Sequence, residues 1–378
     1  MLAQPQIFFD HGPDGTGTLF RAPEQLIVAK TAEEVPAALD ALSRAQADGR
    51  WIAGYCSYEL GYVLMPKLAH LLPEDRDTPL LLFGVFDTPD SANIGVGEAV
   101  LSSLTPLWSA NDYHRAFDKL RALIGAGDIY QANLTFPILA NRAGSAEALF
   151  GLLAARQPVL YGAHVDLGVG PEILSRSPEL FFRTTADGEI ETLPMKGTVP
   201  RGITAGEDDE RYNWLLKDPK NRAENLMIVD LLRNDISQVS KVGSVKVPEL
   251  FRVDSYATVH QMVSRVTAHL KESTSLPDIL RALFPCGSVT GAPKHRAMQV
   301  IRDLEPTPRG IYCGTIGWMA PDGSSCFNVA IRTLSLFEGG AVRLNVGGGV
   351  VWDSTADGEY EEALWKVRYA EISPPISS

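Results

Sequence analysis

The sequence predicts an α+β fold, because its extended runs come in groups joined by turns, with helices between or after them instead of in strict alternation. Hydrophobic residues make up 45% and charged residues 21% of the 378 positions, the composition of a globular chain with a substantial core. No apolar run is long enough to span a bilayer, and residues 1–10 lack a basic start followed by an apolar stretch. Neither a membrane segment nor a targeting segment is expected.

The first hundred residues are punctuated by turn clusters at His11-Gly12-Pro13-Asp14-Gly15 and Asp87-Thr88-Pro89-Asp90. Between them a helical period covers residues 32–47 and a strand-like run covers 51–58. Gly12, Gly15 and Gly17 invite comparison with a phosphate loop, but no Lys-Ser/Thr pair follows, so a plain turn is expected. A second region opens near Thr105. Residues 112–124 have the apolar spacing of an amphipathic helix, closed by Gly125-Ala126-Gly127, and 129–138 read as a strand. Further extended runs cover 159–169, 180–183, 314–319, 326–337 and 341–346, with helices near 219–233, 277–283, 293–303 and 357–370.

The formal net charge is −12. That disfavours nucleic acid or an anionic membrane as the main partner, because phosphate binding needs a basic footprint. A small anionic substrate stays possible, since a few enclosed Arg and Lys residues can make a positive pocket. Cys56, Cys286, Cys313 and Cys326 are widely spaced, with no C-x-x-C pair. Free thiols in a reducing cytoplasm are expected.

Ser177-Pro178-Glu179 precedes one strand, Ala186-Asp187-Gly188-Glu189 supplies a turn, and a second strand leads to Pro194-Met195-Lys196-Gly197-Thr198. Such a hairpin returns Lys196 to the level of Glu179. A carboxylic acid can protonate a leaving hydroxyl, and a desolvated lysine can act as a nucleophile; a surface ion pair is the alternative. Asp218 suits an N-cap and Pro219 the first position of a helix that carries Asn221 and Glu224 near its start. Glu359, Glu362 and Lys366 share one face of a later helix. Two helices each offering a carboxylate suit a hard cation such as Mg²⁺, and a solvated acidic face is the alternative for either helix.

Asn345-Val346-Gly347-Gly348-Gly349-Val350 ends an apolar strand with three glycines, whose amides can approach a carboxylate closely; a β-bulge is compatible with this. Residues 288–294 (Ser288-Val289-Thr290-Gly291-Ala292-Pro293-Lys294) lead into a helix whose exposed amides favour anions. Arg332 in an otherwise apolar strand, with Tyr312 on a preceding segment, hints at a carboxylate ligand. His260 by itself reads as a structural histidine.

Together these segments resemble the chorismate-utilising enzymes, which include anthranilate, isochorismate, salicylate and aminodeoxychorismate synthases. The matching stretches are Gly127-Asp128-Ile129-Tyr130-Gln131-Ala132-Asn133-Leu134, the Ser177 and Pro194 segments, Arg222-Ala223-Glu224-Asn225 through Asp235, Thr290 to Lys294, Pro308-Arg309-Gly310-Ile311-Tyr312, and the triple glycine with its acidic helix. The resemblance divides the chain into a catalytic, chorismate-binding region, 105–373, and an N-terminal portion, 1–104. The latter matches mainly at Gly54-Tyr55-Cys56-Ser57-Tyr58-Glu59-Leu60-Gly61.

The resemblance implies two large, mostly antiparallel sheets facing each other, with helices outside and the substrate between. It also implies roles. Glu224 and Glu362 would hold Mg²⁺ against a carboxylate of chorismate, supported by Glu359, and Glu179 would be the general acid. Gly197, Thr198, Tyr312, Arg332 and the amides of Gly347, Gly348 and Gly349 would position the substrate, with His260 beside the ring. Asn221 departs from the acidic residue often found at its position. Water-using members carry a lysine base where this chain has Gln131, so hydroxylation is not expected. Lys196, alanine in most anthranilate-forming members, implies amination to 4-amino-4-deoxychorismate, toward 4-aminobenzoate and folate. Anthranilate formation is the alternative. The sequence shows no glutamine amidotransferase segment and too few residues after Ala370 for a lyase. A separate glutaminase supplying ammonia and another enzyme releasing pyruvate are therefore expected.

Overall fold

In the computed structural model, which describes residues 4–95, 97–256 and 259–372, the extended runs form two ten-stranded sheets with antiparallel pairing. One sheet runs through Gly291–Ala292, Gln131–Gly144, Ala341–Val350, Thr333–Leu336, Glu172–Ser177, Tyr161–Asp166, Gln6–Phe9, Thr18–Arg21 and Asp90–Ser91. Ala99–Pro106 joins it beside Gln131–Gly144. The other runs through Met195–Pro200, Val259–His269, Glu189–Thr192, Leu180–Thr184, Ser325–Asn328, Thr315–Met319, Trp51–Cys56, Leu81–Phe86 and Gln25–Ala29. Lys246–Ser255 joins this second sheet beside Val259–His269.

Strand alternation sorts the core into layers. Ile7, Phe9 and Phe20 of the first sheet meet Ala53, Tyr55 and Phe86 of the second in one buried cluster between the sheets. Phe8 points the other way and packs edge-on against Phe150 of the outer helix Ala146–Arg156, ring centroids 6.0 Å apart. Helices Val35–Ala47, Pro219–Ser237 and Leu276–Leu283 share a cluster with the second sheet. Helices Ala110–Gly125, Lys294–Leu304 and Ala356–Lys366 share one with the first. Each fully buried apolar side chain contributes about 1.5–3 kcal/mol, against about 0–1 kcal/mol for an exposed ion pair. The apolar layers therefore hold the sandwich together.

Local signals place the helices that matter. Asp218 caps Pro219–Ser237 by accepting from the Asn221 amide at 2.8 Å, and Pro219 occupies the first turn. Ser109 and Asp112 form a capping box for Ala110–Gly125.

Two expectations change. The run at 326–337 is two strands in different sheets, Ser325–Asn328 and Thr333–Leu336. Between them the chain crosses from one sheet to the other, and Arg332 sits in that crossover at φ 51°, not in a strand. The triple glycine carries no bulge, because Ala341–Val350 pairs with Gln131–Gly144 in unbroken register through Val350. The N-terminal portion, 1–104, supplies strands to both sheets, and Ala99–Pro106 bridges its junction with 105–373, whose last residue lies outside the described ones. Among the described residues the four cysteines are free, and no helix is long and apolar enough to cross a membrane.

Candidate active site

Leu180–Thr184 and Glu189–Thr192 form the expected hairpin, which brings Glu179 and the Met195–Pro200 strand to one end of the second sheet. Met195 pairs with Val263 but Thr198 with Gln261, so the strand holds one residue too many at Lys196-Gly197. This bulge, with Gly197 at φ 84°, aims Lys196 into a cavity of about 630 Å³ lined by both sheets. A Cβ at Gly197 would stand 2.7 Å from Asn221 Oδ1. Gly197→Ala is therefore expected to cost about 1–3 kcal/mol, read from its denaturant midpoint, and to misplace Lys196. An unchanged midpoint with unchanged turnover would show that the bulge is dispensable.

Glu179, Lys196, Gly197, Thr198, Glu224, Tyr312, Arg332, Gly347, Gly348, Gly349, Glu359 and Glu362 all line this cavity, although they come from segments far apart in sequence. Gln131 lies just behind: a Cβ at Gly349 would collide with its amide nitrogen and stand 3.2 Å from Lys196 Nζ. Among the described residues, both polar atoms of the Gln131 amide are buried without a partner. His260 is the residue that the structure does not bring in. Alternation along Val259–His269 sends Val259 and Gln261 to the cavity and His260 away from it. There its Nε2 lies 3.0 Å from Asp208 Oδ1 and its Nδ1 2.8 Å from Ser255 Oγ, with Tyr212 edge-on to the ring.

The electrostatics follow from enclosure. Lys196 is half-buried where it borders the cavity. A narrow cleft solvates an ammonium less well than bulk water. Burial lowers the pKa of Lys196 and outweighs the opposing pull of Glu179 and Glu224. Burial raises Glu179, against a hydrogen bond from Ser288 and the charges of Lys196 and Arg332. Both shifts favour the uncharged pair, an amine beside a carboxylic acid. Burial likewise raises Glu224 and Glu359. Partial desolvation works the same way on Glu362, whose side chain is 56% exposed, but the Lys366 charge and hydrogen bond, with the charges of Lys196 and Lys220, lower its pKa.

Lys366 Nζ lies 2.7 Å from Glu362 Oε1 and donates to the Gly347 carbonyl at 2.9 Å, while Ser354 donates to Glu359 at 2.6 Å. Among the described residues no three His, Cys, Asp or Glu side chains form a ready metal cage. Arg332 is half-buried at the cavity wall and, among the described residues, forms no ion pair, although it feels the Glu179 charge.

Sequence reasoning missed several lining residues. Ser288 belongs to a segment that looked like a helix-terminal anion site, but Lys294 of that segment is spent on Asp235 at 2.6 Å and the Leu283 carbonyl at 2.8 Å. Ser288 itself faces Glu179, and Lys196 reaches its carbonyl at 3.4 Å. Tyr369, in the short turn Arg368–Ala370, has no local signal; only the packing of the preceding helix brings it to the cavity.

A family model described as chorismate binding enzyme matches residues 96–370. Aminodeoxychorismate synthase component 1 from Klebsiella aerogenes is 42% identical over 273 residues, 71% of this chain and 60% of that protein. The chain thus spans less than two thirds of that relative's length. Anthranilate synthase component 1 from Methanothermobacter thermautotrophicus is 36% identical over 312 residues, 82% of this chain and 63% of that one. The crystal structure of anthranilate synthase component I from Streptococcus pneumoniae superposes with a TM-score of 0.78 at 23% identity, covering 97% of this chain and 92% of that one. At that identity the superposition speaks for the fold alone.

Proposed function

Because the chain belongs to the chorismate binding enzyme family, we propose that it aminates chorismate to 4-amino-4-deoxychorismate in the cytoplasm, on the way to 4-aminobenzoate and folate. The observation that carries this reading is Lys196, an enclosed amine aimed by a bulge into the cavity beside a buried acid. The first matched relative's name supports it, and the second component implied by that name supports a glutaminase partner that delivers ammonia.

In this reading Arg332, Tyr312 and the Gly347–349 backbone hold the anionic substrate between the sheets. Neutral Lys196 forms a C–N bond to a ring carbon while the ring C–O bond breaks. Glu179 gives its proton to the departing oxygen, which leaves as water. Ammonia then bonds to the carbon that becomes amino-bearing, and the Lys196–carbon bond breaks to restore the free amine. The new ammonium group returns one proton to Glu179. Gln131 offers an amide where a water-activating base would be needed, which disfavours hydroxylation.

The residues fit a magnesium ion. Glu224, Glu359 and Glu362 all face the cavity, and a Cβ at Gly348 would crowd this corner, 2.9 Å from Glu359 Oε2. The Lys366 ammonium already seated on Glu362 and Gly347 marks the corner as one that accepts a cation. An ion that keeps several waters and bridges to an anionic ligand needs no all-protein cage. When bound, it would supply the positive charge that grips a substrate carboxylate. Glu362→Gln is expected to bind Mg²⁺ at least about tenfold more weakly by calorimetry, with its circular dichroism unchanged. Normal magnesium affinity with normal turnover would remove Glu362 from the site.

The test of the function is product analysis after incubating the chain with chorismate, Mg²⁺ and an ammonium salt, and in parallel with glutamine. The expected product is 4-amino-4-deoxychorismate, from ammonium only. Anthranilate would instead favour the ortho-aminating reading, and strong glutamine-dependent synthesis by the single chain would remove the partner.

A further inference from the structure

The stretch from Gly54 to Gly61 stands apart from the site: none of its residues lines the cavity. Yet it carries Glu59, only 2% exposed. A buried carboxylate is costly unless something replaces its hydration. Among the described residues Glu59 has no ion-pair partner, and two successive backbone amides take that place. Arg309 N donates to Oε1 at 2.7 Å and Gly310 N to Oε2 at 3.1 Å. Tyr58 N in turn donates to the Gly310 carbonyl at 2.8 Å, so three hydrogen bonds lace 58–59 to 309–310.

The laced segment leads directly into the cavity wall. Tyr312 N donates to the Arg309 carbonyl at 3.2 Å, and the Tyr312 side chain lines the cavity. The Arg309 guanidinium is committed elsewhere: to Glu305, to the Val289 carbonyl and to the carbonyl of Asn133, itself a lining residue. An apolar side chain at position 59 would fill the space at lower cost. A carboxylate aimed at two adjacent amides adds direction instead, because both oxygens must be met at once.

We propose that Glu59 is a positioning residue for chorismate binding, its carboxylate fixing the Arg309-Gly310 turn and through it the place of Tyr312. The proposal rests on the reading that the cavity takes chorismate. It gives the N-terminal portion of the chain a part in a site to which it contributes no lining residue.

The clamp has a titratable signature. Burial pushes the Glu59 pKa up to about 7, against the pull of the Arg309 amide, of its own amide and of the Arg309 and Arg343 charges. Tyr58, Tyr62, Arg302 and Glu305 also border the small cleft around it. Protonation places an O–H against one of the two N–H donors, so chorismate affinity should fall as pH drops through this range. The experiment titrates chorismate, with Mg²⁺ present, into the wild-type chain and Glu59→Gln on both sides of neutral pH, following tryptophan fluorescence from Trp214 and Trp365 at the cavity.

The wild type is expected to lose about tenfold in affinity on acidification. Glu59→Gln should bind about tenfold more weakly throughout, without the inflection and with kcat at saturating chorismate nearly unchanged. A merely structural Glu59 would lower the unfolding midpoint and leave affinity and its pH dependence alone, which overturns the proposal. If Glu59→Gln does not fold, Glu59→Asp decides: a shorter carboxylate that cannot meet both amides should bind chorismate about tenfold more weakly with kcat nearly unchanged, and unchanged affinity overturns the clamp. Failure of the wild type to bind chorismate at all would overturn the functional reading as well, whereas normal binding insensitive to Glu59→Gln and to pH sinks this inference alone.

Discussion

Lys196→Ala is expected to keep chorismate and Mg²⁺ binding but to lose 4-amino-4-deoxychorismate synthesis by at least about 10³-fold, the scale on which a covalent catalyst is missed. The reason is local. The Lys196 amine lies in an enclosed cavity where burial lowers its pKa, which favours the neutral amine that the proposed mechanism uses. Alanine removes the nucleophile but leaves Arg332, Tyr312 and the acidic corner in place. The emptied space next to Gln131 and Gly349 also admits ammonia where the lysine attacked. A small yield of the ortho-amino isomer is therefore expected on chromatography. Near-normal turnover to the usual product would contradict a chemical role for Lys196.

Glu179→Gln is expected to lower kcat by on the order of 10²–10⁴-fold, the usual worth of a general acid, with little change in chorismate affinity. Glutamine keeps the shape of the side chain but has no proton to give. The wild-type profile should be bell-shaped. Activity rises with pH as Lys196, whose pKa burial lowers, loses its proton. It falls again as Glu179, whose pKa burial raises, loses the proton it must donate. The two limbs belong to the coupled pair. Glu179→Gln should abolish the alkaline limb and move the acid limb to lower pH, because a carboxylate that raises the Lys196 pKa is gone. A variant that keeps both limbs and full kcat would assign the acid elsewhere.

The readable part of this protein was whatever local chemistry encodes. Asp218-Pro219 announces a helix start, and the Gly188 turn announces a hairpin that must carry Lys196 back to Glu179. Those signals located Glu224, Glu179 and Lys196, each of which lines the cavity. What the sequence hid depends on long-range register. Parity along Val259–His269 is set by pairing with a bulged neighbour, so the motif alone could not reveal that His260 faces Asp208 instead of the cavity. Residues 326–337 look like one apolar strand, yet the chain changes sheets at Arg332, where side-chain pattern is silent about backbone direction. Glu59 is the extreme case. Its partners are backbone amides 250 residues away, which leave no mark in composition or spacing.

The measurement that bears most directly on the account is the product formed by Lys196→Arg with chorismate, Mg²⁺ and an ammonium salt. Arginine preserves the positive charge, but its guanidinium stays protonated at any working pH and is a poor nucleophile. If Lys196 acts through its amine, the arginine variant should make no more 4-amino-4-deoxychorismate than Lys196→Ala, while still binding chorismate. An arginine variant that makes the normal product at a substantial fraction of the wild-type rate would contradict covalent catalysis and leave Lys196 as a charge that orients the substrate.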